Sequence, residues 1–166
     1  FIVTNNKKLR DKLLMIRNHG MLKGYDTRLL GLNLRLPEIN AAIATVQMKK
    51  LPKFLKTRQK NAKLLSKLLS KSNLDLPLER KNENVNWYLY TVTTPKRNML
   101  LKKLNAKGIG AASYYPIPVH KTPFYKSKTK LPITDWAASS VLSLPIHPKV
   151  TDKNIEFIAK TISEIL

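Results

Sequence analysis

The chain has 166 residues, 43% of them hydrophobic and only 5 of them glycine, so it can bury a core and is neither disordered nor of low complexity. It contains no cysteine, which excludes disulfides, thiolate metal sites and cysteine nucleophiles and is typical of a cytoplasmic protein. Its 31 Lys and Arg residues against 10 Asp and Glu give a net charge of +21, which favours contact with polyanions, and no apolar run is long enough to span a membrane.

The first predicted elements are a strand end, a helix and a loop. The apolar, β-branched run at residues 1–4 predicts the end of a strand that continues from a longer polypeptide. Residues 5–18 carry leucine and isoleucine at helical spacing, and His19 and Gly20 end that helix. The loop at residues 20–36 is long for an unstructured connection and therefore suggests a function.

This loop ends in a corner that predicts a ligand site. Asn33 and Arg35 are two residues apart, so in an extended segment both side chains point to the same side. An amide and a guanidinium can together hold a phosphate or a carboxylate. Pro37 then suits the first turn of a helix. The alternative is a capped helix that carries one surface arginine.

Two helices are predicted next. One begins at Pro37, the pair Leu51 and Pro52 breaks it, and a second helix reaches Ser70, which suggests a hinge between two bodies. Lysines recur on the outer side of the second helix, as on a solvated face. No zinc-finger spacing, basic leucine-zipper pattern or aromatic stacking platform accompanies them, so specific nucleic-acid binding is not expected.

The remaining residues predict a compact α/β unit. The expected elements are a strand at residues 85–93, a helix at 95–107, a strand at 111–115, a short helix at 134–141, and a last helix with Thr151 as its N-cap. An irregular loop rich in proline follows the second strand.

Few residues carry an obvious chemistry. The three histidines lack metal-ligand spacing, the carboxylates are scattered, and no glycine-rich phosphate pattern occurs. One cluster, residues 113–120 followed by Tyr125, offers hydroxyls and an imidazole on a loop stiffened by proline. Such a loop suits a polyhydroxylated ligand, or it is packed by its own aromatic side chains.

Seven short segments occur in one order along the whole chain. They are Arg17-Asn18-His19-Gly20, the run from Gly31 to Leu36, Ala41-Ala42 with Gln47, Arg58, Gly108-Ile109-Gly110, Tyr114-Tyr115-Pro116 with His120, and the run from Leu142 to Pro148. In this order and spacing the chain resembles the DegT/StrS family of sugar aminotransferases.

The resemblance implies a fold type I enzyme that uses pyridoxal 5′-phosphate to move an amino group, commonly from glutamate, onto a nucleotide-linked keto sugar. Residues 1–50 would be the tail of the large cofactor-binding domain. Bridging helices would lead into a small C-terminal α/β domain at residues 51–166. The expected partners are the nucleotide sugar, the amino-acid donor and a second subunit, because active sites in this family are shared across a homodimer. No metal is expected.

Site roles follow from the same resemblance. Asn33 would reach the cofactor phosphate of the other subunit, and Arg35 would hold an anionic group of the substrate or donor. Tyr114, Tyr115 and His120 would lie on the loop that meets the sugar nucleotide, with Tyr125 as a further candidate.

The segment that bears the Schiff-base lysine would lie upstream of Phe1, so this chain by itself is expected to be inactive. One hypothesis is that the chain is the C-terminal portion of an aminotransferase. The other is a truncated, non-catalytic small domain that acts as a binding or interaction module. A dehydratase branch of the family, which lacks the lysine, also stays open, as does a bare cationic nucleic-acid binder as a distant third.

Overall fold

The chain divides into two units in the computed structural model, which describes all residues from 1 to 166: unit 1 is Phe1–Lys49 and unit 2 is Lys50–Leu166. The chain contains both helices and strands, as the α/β prediction requires. They are α1 (Lys7–Arg17), α2 (Glu38–Leu69), β1 (Tyr90–Thr93), α3 (Arg97–Ala106), α4 (Pro132–Ser140), β2 (Val141–Leu144) and α5 (Asp152–Ile165). None of the helices is both long enough and apolar enough to cross a lipid bilayer. The assignment of residues 1–50 and 51–166 to a large and a small domain stays a prediction.

Unit 1 begins with α1, close to the predicted helix. The side chain of Asn6 caps it by accepting a hydrogen bond from the backbone N–H of Leu9 at 3.0 Å. After the helix the chain folds back along its last turn. The N–H of Leu32 donates to the carbonyl of Ile16 at 2.8 Å, and that of Leu34 donates to Arg17 at 2.9 Å. The backbone beside Asn33 is therefore fixed against the end of α1.

Two glycines make this return possible. Gly20 is the only buried residue of unit 1 and has a φ of 75°, a left-handed conformation that favours glycine. A Cβ on Gly31 would lie 2.0 Å from the backbone nitrogen of Gly20 and 2.5 Å from the carbonyl carbon of His19. The two backbones touch where no side chain fits. Unit 1 therefore depends on a backbone contact more than on an apolar core.

The predicted strand at residues 1–4 is wrong. These residues form neither a strand nor a helix, and Phe1 is 93% exposed. A strand needs a neighbour to receive its hydrogen bonds, and no segment of this chain pairs with this run.

The predicted break at Leu51 and Pro52 is also wrong, since α2 continues through Pro52 as one helix of 32 residues. Proline lacks the N–H that would bond four residues back, so it removes one hydrogen bond while the turns on either side keep theirs. The last four turns of α2 bury one side in unit 2 through Asn61, Ala62, Leu65 and Leu69. The lysines of the predicted outer face, Lys53, Lys56, Lys60, Lys63 and Lys67, are all exposed.

The sheet of unit 2 is small. β1 and β2 pair antiparallel, with Tyr90 opposite Leu144 and Thr93 opposite Val141. Single bridges widen the sheet at both edges, one from Asp75 to Thr93 and one from Ala112 to Ser143.

Both predicted strands prove shorter than expected, and one strand was not predicted. The expected strand at residues 85–93 begins only at Tyr90, because Trp87 has a φ of 49° and turns the backbone out of the extended region. The expected strand at 111–115 is reduced to the bridge at Ala112. β2 was missed, although it is part of the run from Leu142 to Pro148.

The core lies entirely in unit 2. The Tyr90 ring is fully buried, stacks on Trp87 with centroids 5.7 Å apart, and its hydroxyl lies 2.7 Å from the Ser66 hydroxyl. Helix α5 covers the core with Ile155 and Ile162. Thr151 caps it as predicted, in a reciprocal capping box with Asn154. The other fully buried apolar side chains are Ala62, Leu65, Leu69, Val92, Leu100, Leu104 and Leu142.

One buried charge is compensated by a helix end. Arg97 donates from Nε to the Ser139 carbonyl at 3.0 Å and from Nη2 to the Ala138 carbonyl at 2.8 Å. These carbonyls belong to the C-terminal turn of α4, whose partial negative charge favours a cation. Arg97 thereby connects the start of α3 to the end of α4, just before β2.

The glycine contact predicts a local loss of structure. Replacing Gly31→Ala inserts a methyl group at 2.0 Å from the Gly20 nitrogen, so the loop must move away from α1. We expect faster hydrogen exchange at the amides of Leu32 and Leu34, measured by NMR. Gly24→Ala is the control, because nothing lies within 4 Å of its Cβ and only the cost of a φ of 58° applies. Unchanged exchange in Gly31→Ala would contradict this account.

The buried tyrosine predicts a response to alkaline pH. Burial raises the pKa of Tyr90 above its usual value, and the hydrogen bond with Ser66 lowers it in part. As the pH rises past about 10, the unfolded chain therefore loses this proton before the folded chain does, and stability falls. Tyr90→Phe loses the hydrogen bond with Ser66 and is therefore less stable at neutral pH. It has no phenol to ionise, so its stability lacks the fall above about pH 10 that Tyr90 causes.

The stability difference between the unmutated chain and Tyr90→Phe should therefore narrow above about pH 10 in urea unfolding. Tyr25→Phe is the matched control, because Tyr25 is 98% exposed. If the difference in unfolding free energy between the unmutated chain and Tyr90→Phe stays constant with pH, Tyr90 ionises alike in the folded and the unfolded chain.

Candidate functional site

In unit 1 the predicted pair Asn33 and Arg35 lies beside Asn18. Asn18 and Asn33 are directly opposite in an antiparallel bridge, so their side chains project from the same face. Arg35 donates from Nη2 to the Asn18 side-chain oxygen at 2.9 Å, and its Nε lies 3.3 Å from the same oxygen. The structure therefore brings Asn33 and Arg35 to one face, as their spacing predicts.

This face is positively charged and open. The side-chain amide of Asn33 makes no hydrogen bond within the chain, and Arg35 pairs with no carboxylate. An adjoining groove of about 560 Å³ is lined by the last turns of α1 and by Arg35. Its one carboxylate, Asp11, is held by Arg10 at 2.7 Å. Amide and guanidinium donors at an exposed face can receive an anion.

In unit 2 the predicted tyrosines lie on an exposed loop. Tyr114, Tyr115 and Tyr125 are all more than half exposed, and Tyr125 meets Phe124 edge to face at a centroid distance of 5.0 Å. Ser113 anchors the start of the loop by donating to the Val141 carbonyl at 3.1 Å. The loop therefore exposes phenol groups at the surface while its start is tied to β2.

His120 has a different environment from the tyrosines. Its side chain is only 13% exposed, and its Nε2 lies 3.7 Å from the Oδ1 of Asp135 on α4. The ammonium of Lys121 lies 2.7 Å from the same carboxylate oxygen. The backbone carbonyl of His120 also accepts from the N–H of Ser127 at 2.8 Å. His120 thus connects the loop to α4, while its role toward a sugar stays a prediction.

No role was predicted for Arg58 from the sequence beyond its place among the resemblance segments. It extends from α2 and donates from Nη1 to the carbonyls of Trp87 and Tyr88, at 3.0 and 2.9 Å. It lines a recess of about 230 Å³ together with Tyr114 and the segment from Ser143 to His147. One feature of the sequence could have indicated a special role for this position. Arg58 is the only arginine in α2, where every other cationic residue is lysine.

The structure thus assembles two groups of polar side chains, each within its own unit. Unit 1 presents Asn33 and Arg35, and unit 2 presents Tyr114 beside Arg58. His120 faces α4, and Tyr115 and Tyr125 do not line the recess of Arg58. No group of three His, Asp or Glu side chains is placed to hold a metal ion.

The contacts of Asp135 predict a change in loop stability. Asp135→Asn removes the charge that faces both His120 and Lys121, so the loop should detach more often from α4. We expect the amide of Ser127 to exchange several-fold faster, measured by NMR. Asp26→Asn is the control, since Asp26 pairs only with Arg28 on an exposed turn of unit 1. Equal exchange in Asp135→Asn and the unmutated chain would show that this carboxylate does not hold the loop.

Comparison with known proteins gives a consistent result over the whole chain. Residues 1–163 match the model of the DegT/DnrJ/EryC1/StrS aminotransferase family. The pleiotropic regulatory protein of Geobacillus stearothermophilus is 33% identical over 170 residues, covering 98% of this chain and 46% of the relative. The dTDP-3-amino-3,4,6-trideoxy-alpha-D-glucose transaminase of Streptomyces venezuelae is 34% identical over 152 residues, covering 89% of this chain and 40% of the relative.

The solved structures agree with the sequence relatives. The crystal structure of Streptomyces venezuelae DesV in complex with a ketimine intermediate superimposes with a TM-score of 0.91 at 30% identity. The match covers 98% of this chain and 45% of DesV. The chain therefore spans less than half the length of the relatives it matches.

Proposed function

Because the chain belongs to the DegT/DnrJ/EryC1/StrS aminotransferase family, we propose that it is the C-terminal portion of an enzyme that transfers an amino group from glutamate to a nucleotide-linked keto sugar. The observation that carries the proposal is the match over residues 1–163, which include Asn33, Arg35 and the tyrosine loop. The similarity to a dTDP-sugar transaminase supports a nucleotide sugar as the substrate.

The family is pyridoxal phosphate-dependent, and the face of unit 1 fits an anionic group of that kind. Asn33 has a free amide, and Arg35 has N–H donors beyond those directed at Asn18. No carboxylate competes for either side chain. When bound, the cofactor supplies the electron sink for amino transfer. Asn33 would hold its phosphate from the neighbouring subunit, and Arg35 would hold an anionic group of the substrate or donor.

The tyrosine loop of unit 2 would meet the sugar nucleotide. Tyr114, Tyr115 and Tyr125 expose phenol groups that can donate and accept hydrogen bonds and can stack on a base or sugar. His120 would contribute to the same loop, and the charge of Asp135, 3.7 Å from its Nε2 and too far for a hydrogen bond, would favour this orientation of its imidazole. In this proposal Asp135 positions His120 and does not touch the substrate.

The surface of unit 1 favours a role inside a larger enzyme over a stand-alone binding module. Large apolar side chains such as Leu30, Leu32, Ile39 and Ile43 are exposed, and only Gly20 is buried. Soluble proteins seldom leave so much apolar surface uncovered. Further polypeptide of the same enzyme, from its own subunit or a second one, would cover this surface.

The test uses the protein encoded by the whole reading frame that contains these residues. We expect cofactor absorbance that depends on the family's lysine, and amino transfer from glutamate to a dTDP- or UDP-linked keto sugar. Asn33→Ala should weaken cofactor binding by about tenfold, through loss of a hydrogen bond to a charged group. Asn5→Ala, also exposed and also in unit 1, is the control and should leave binding unchanged.

Sharing of sites between subunits has its own test. Two variants are mixed at a limiting cofactor concentration, one lacking the lysine and the other carrying Asn33→Ala, whose sites are then mostly empty. If Asn33 acts in the partner's site, half the dimers are mixed and each has one intact site, so about a quarter of the activity returns. If Asn33 acts within its own subunit, no activity returns. A reading frame without the lysine would instead favour the dehydratase branch or the non-catalytic binding module, and purified protein without cofactor absorbance would favour the module.

A further inference from the structure

We propose that the recess around Arg58 in unit 2 binds the carboxylate of a small organic acid. Among the residues that line this recess, the proposed amino transfer assigns a role only to Tyr114. Its polar residues come from four separate segments of the chain and are Arg58, Tyr88, Tyr114, Ser143 and His147. The inference concerns unit 2 alone and does not depend on the proposed function.

Arg58 is fixed in position but only partly used. Its two bonds to the carbonyls of Trp87 and Tyr88 occupy both hydrogens of Nη1 and fix the plane of the guanidinium. The Tyr88 ring lies against the same group, with Cζ 5.8 Å from the ring centroid. Nε and Nη2 make no hydrogen bond within the chain. These two nitrogens form the edge with which arginine binds a carboxylate through two parallel hydrogen bonds.

The charge of Arg58 lacks a counter-ion. The side chain is half-buried, yet no carboxylate lies within ion-pair distance of it. None of the residues that line the recess is acidic. The two carbonyls and the Tyr88 ring compensate part of the desolvation of Arg58, and a charge held partly out of water is more stable with an ion partner as well. An anion from solution would supply the missing partner.

The remaining walls favour a small carboxylate over a phosphate. The N–H of Lys149 donates to Nδ1 of His147 at 3.3 Å, which leaves the proton of the neutral imidazole on Nε2 as a further donor. The Ser143 hydroxyl is already engaged with Thr91 at 2.9 Å. Arg58 is thus the only full charge, and it suits a ligand of one negative charge. Apolar side chains such as Leu89 and Pro145 would cover a short carbon stem.

The size of the recess also favours a small carboxylate. Its volume of about 230 Å³ is below that of pockets for drug-sized ligands, which are about 300 to 1,000 Å³. A few carbon atoms with a carboxylate fit this space. A whole nucleotide does not.

The experiment titrates the full chain with butyrate and follows the Arg58 Nε–H and the Ser143 and Ala112 amides by NMR. We expect saturable shifts with butyrate and none with butyramide, its neutral amide. Arg58→Gln should weaken binding about tenfold or more, as for a lost charge-assisted pair, and His147→Gln should weaken it several-fold. Lys63→Gln removes one charge from an exposed position of the same helix and should leave binding unchanged.

Several outcomes would overturn the proposal. No shift of the Arg58 Nε–H at tens of millimolar butyrate would exclude the site. Equal weakening in Lys63→Gln would assign the effect to the net charge of the chain. Tighter binding of inorganic phosphate than of butyrate would replace the carboxylate assignment. If Arg58→Gln fails to fold, the Arg58 signal of the unmutated chain and the exposed variant His147→Gln still decide the question.

Discussion

Unit 1 depends on the contact between the backbones of Gly20 and Gly31. The chain can return along α1 only because neither residue carries a Cβ, and the return brings Asn33 opposite Asn18. Without that register Arg35 would not reach the Asn18 oxygen, and the two donors would not share a face. A steric constraint at two glycines therefore determines the electrostatics of a site that contains neither of them.

Local patterns predicted the elements that depend on local physics. Capping by Thr151 and the helical spacing of isoleucines in α5 were predicted because both involve residues within one turn of each other. Non-local pairing was predicted less well. The run at Phe1 lacks a partner strand in this chain, and the extended part of β1 is limited by the backbone turn at Trp87. Pro52 did not end α2, since one lost hydrogen bond is outweighed by the turns around it.

In the candidate site, too, the local features could be predicted from the sequence and the non-local contacts could not. The common face of Asn33 and Arg35 follows from residue spacing and could be predicted. The resemblance set contained Arg58, but no pattern in the sequence indicates that its partners are carbonyls about 30 residues away, at Trp87 and Tyr88. Nor could the sequence show that His120 faces Asp135. These contacts depend on how segments distant in the chain pack together.

The uneven distribution of burial between the units has a consequence for measuring their stability. Heat capacity and denaturant dependence scale with the surface that unfolding exposes, and nearly all of that surface lies in unit 2. Both tryptophans, Trp87 and Trp136, also lie there. Calorimetry, chemical denaturation and intrinsic fluorescence will therefore report unit 2 almost alone. Unit 1 could open and close without a signal in any of them, and only residue-resolved methods would detect the loss of the face that carries Asn33.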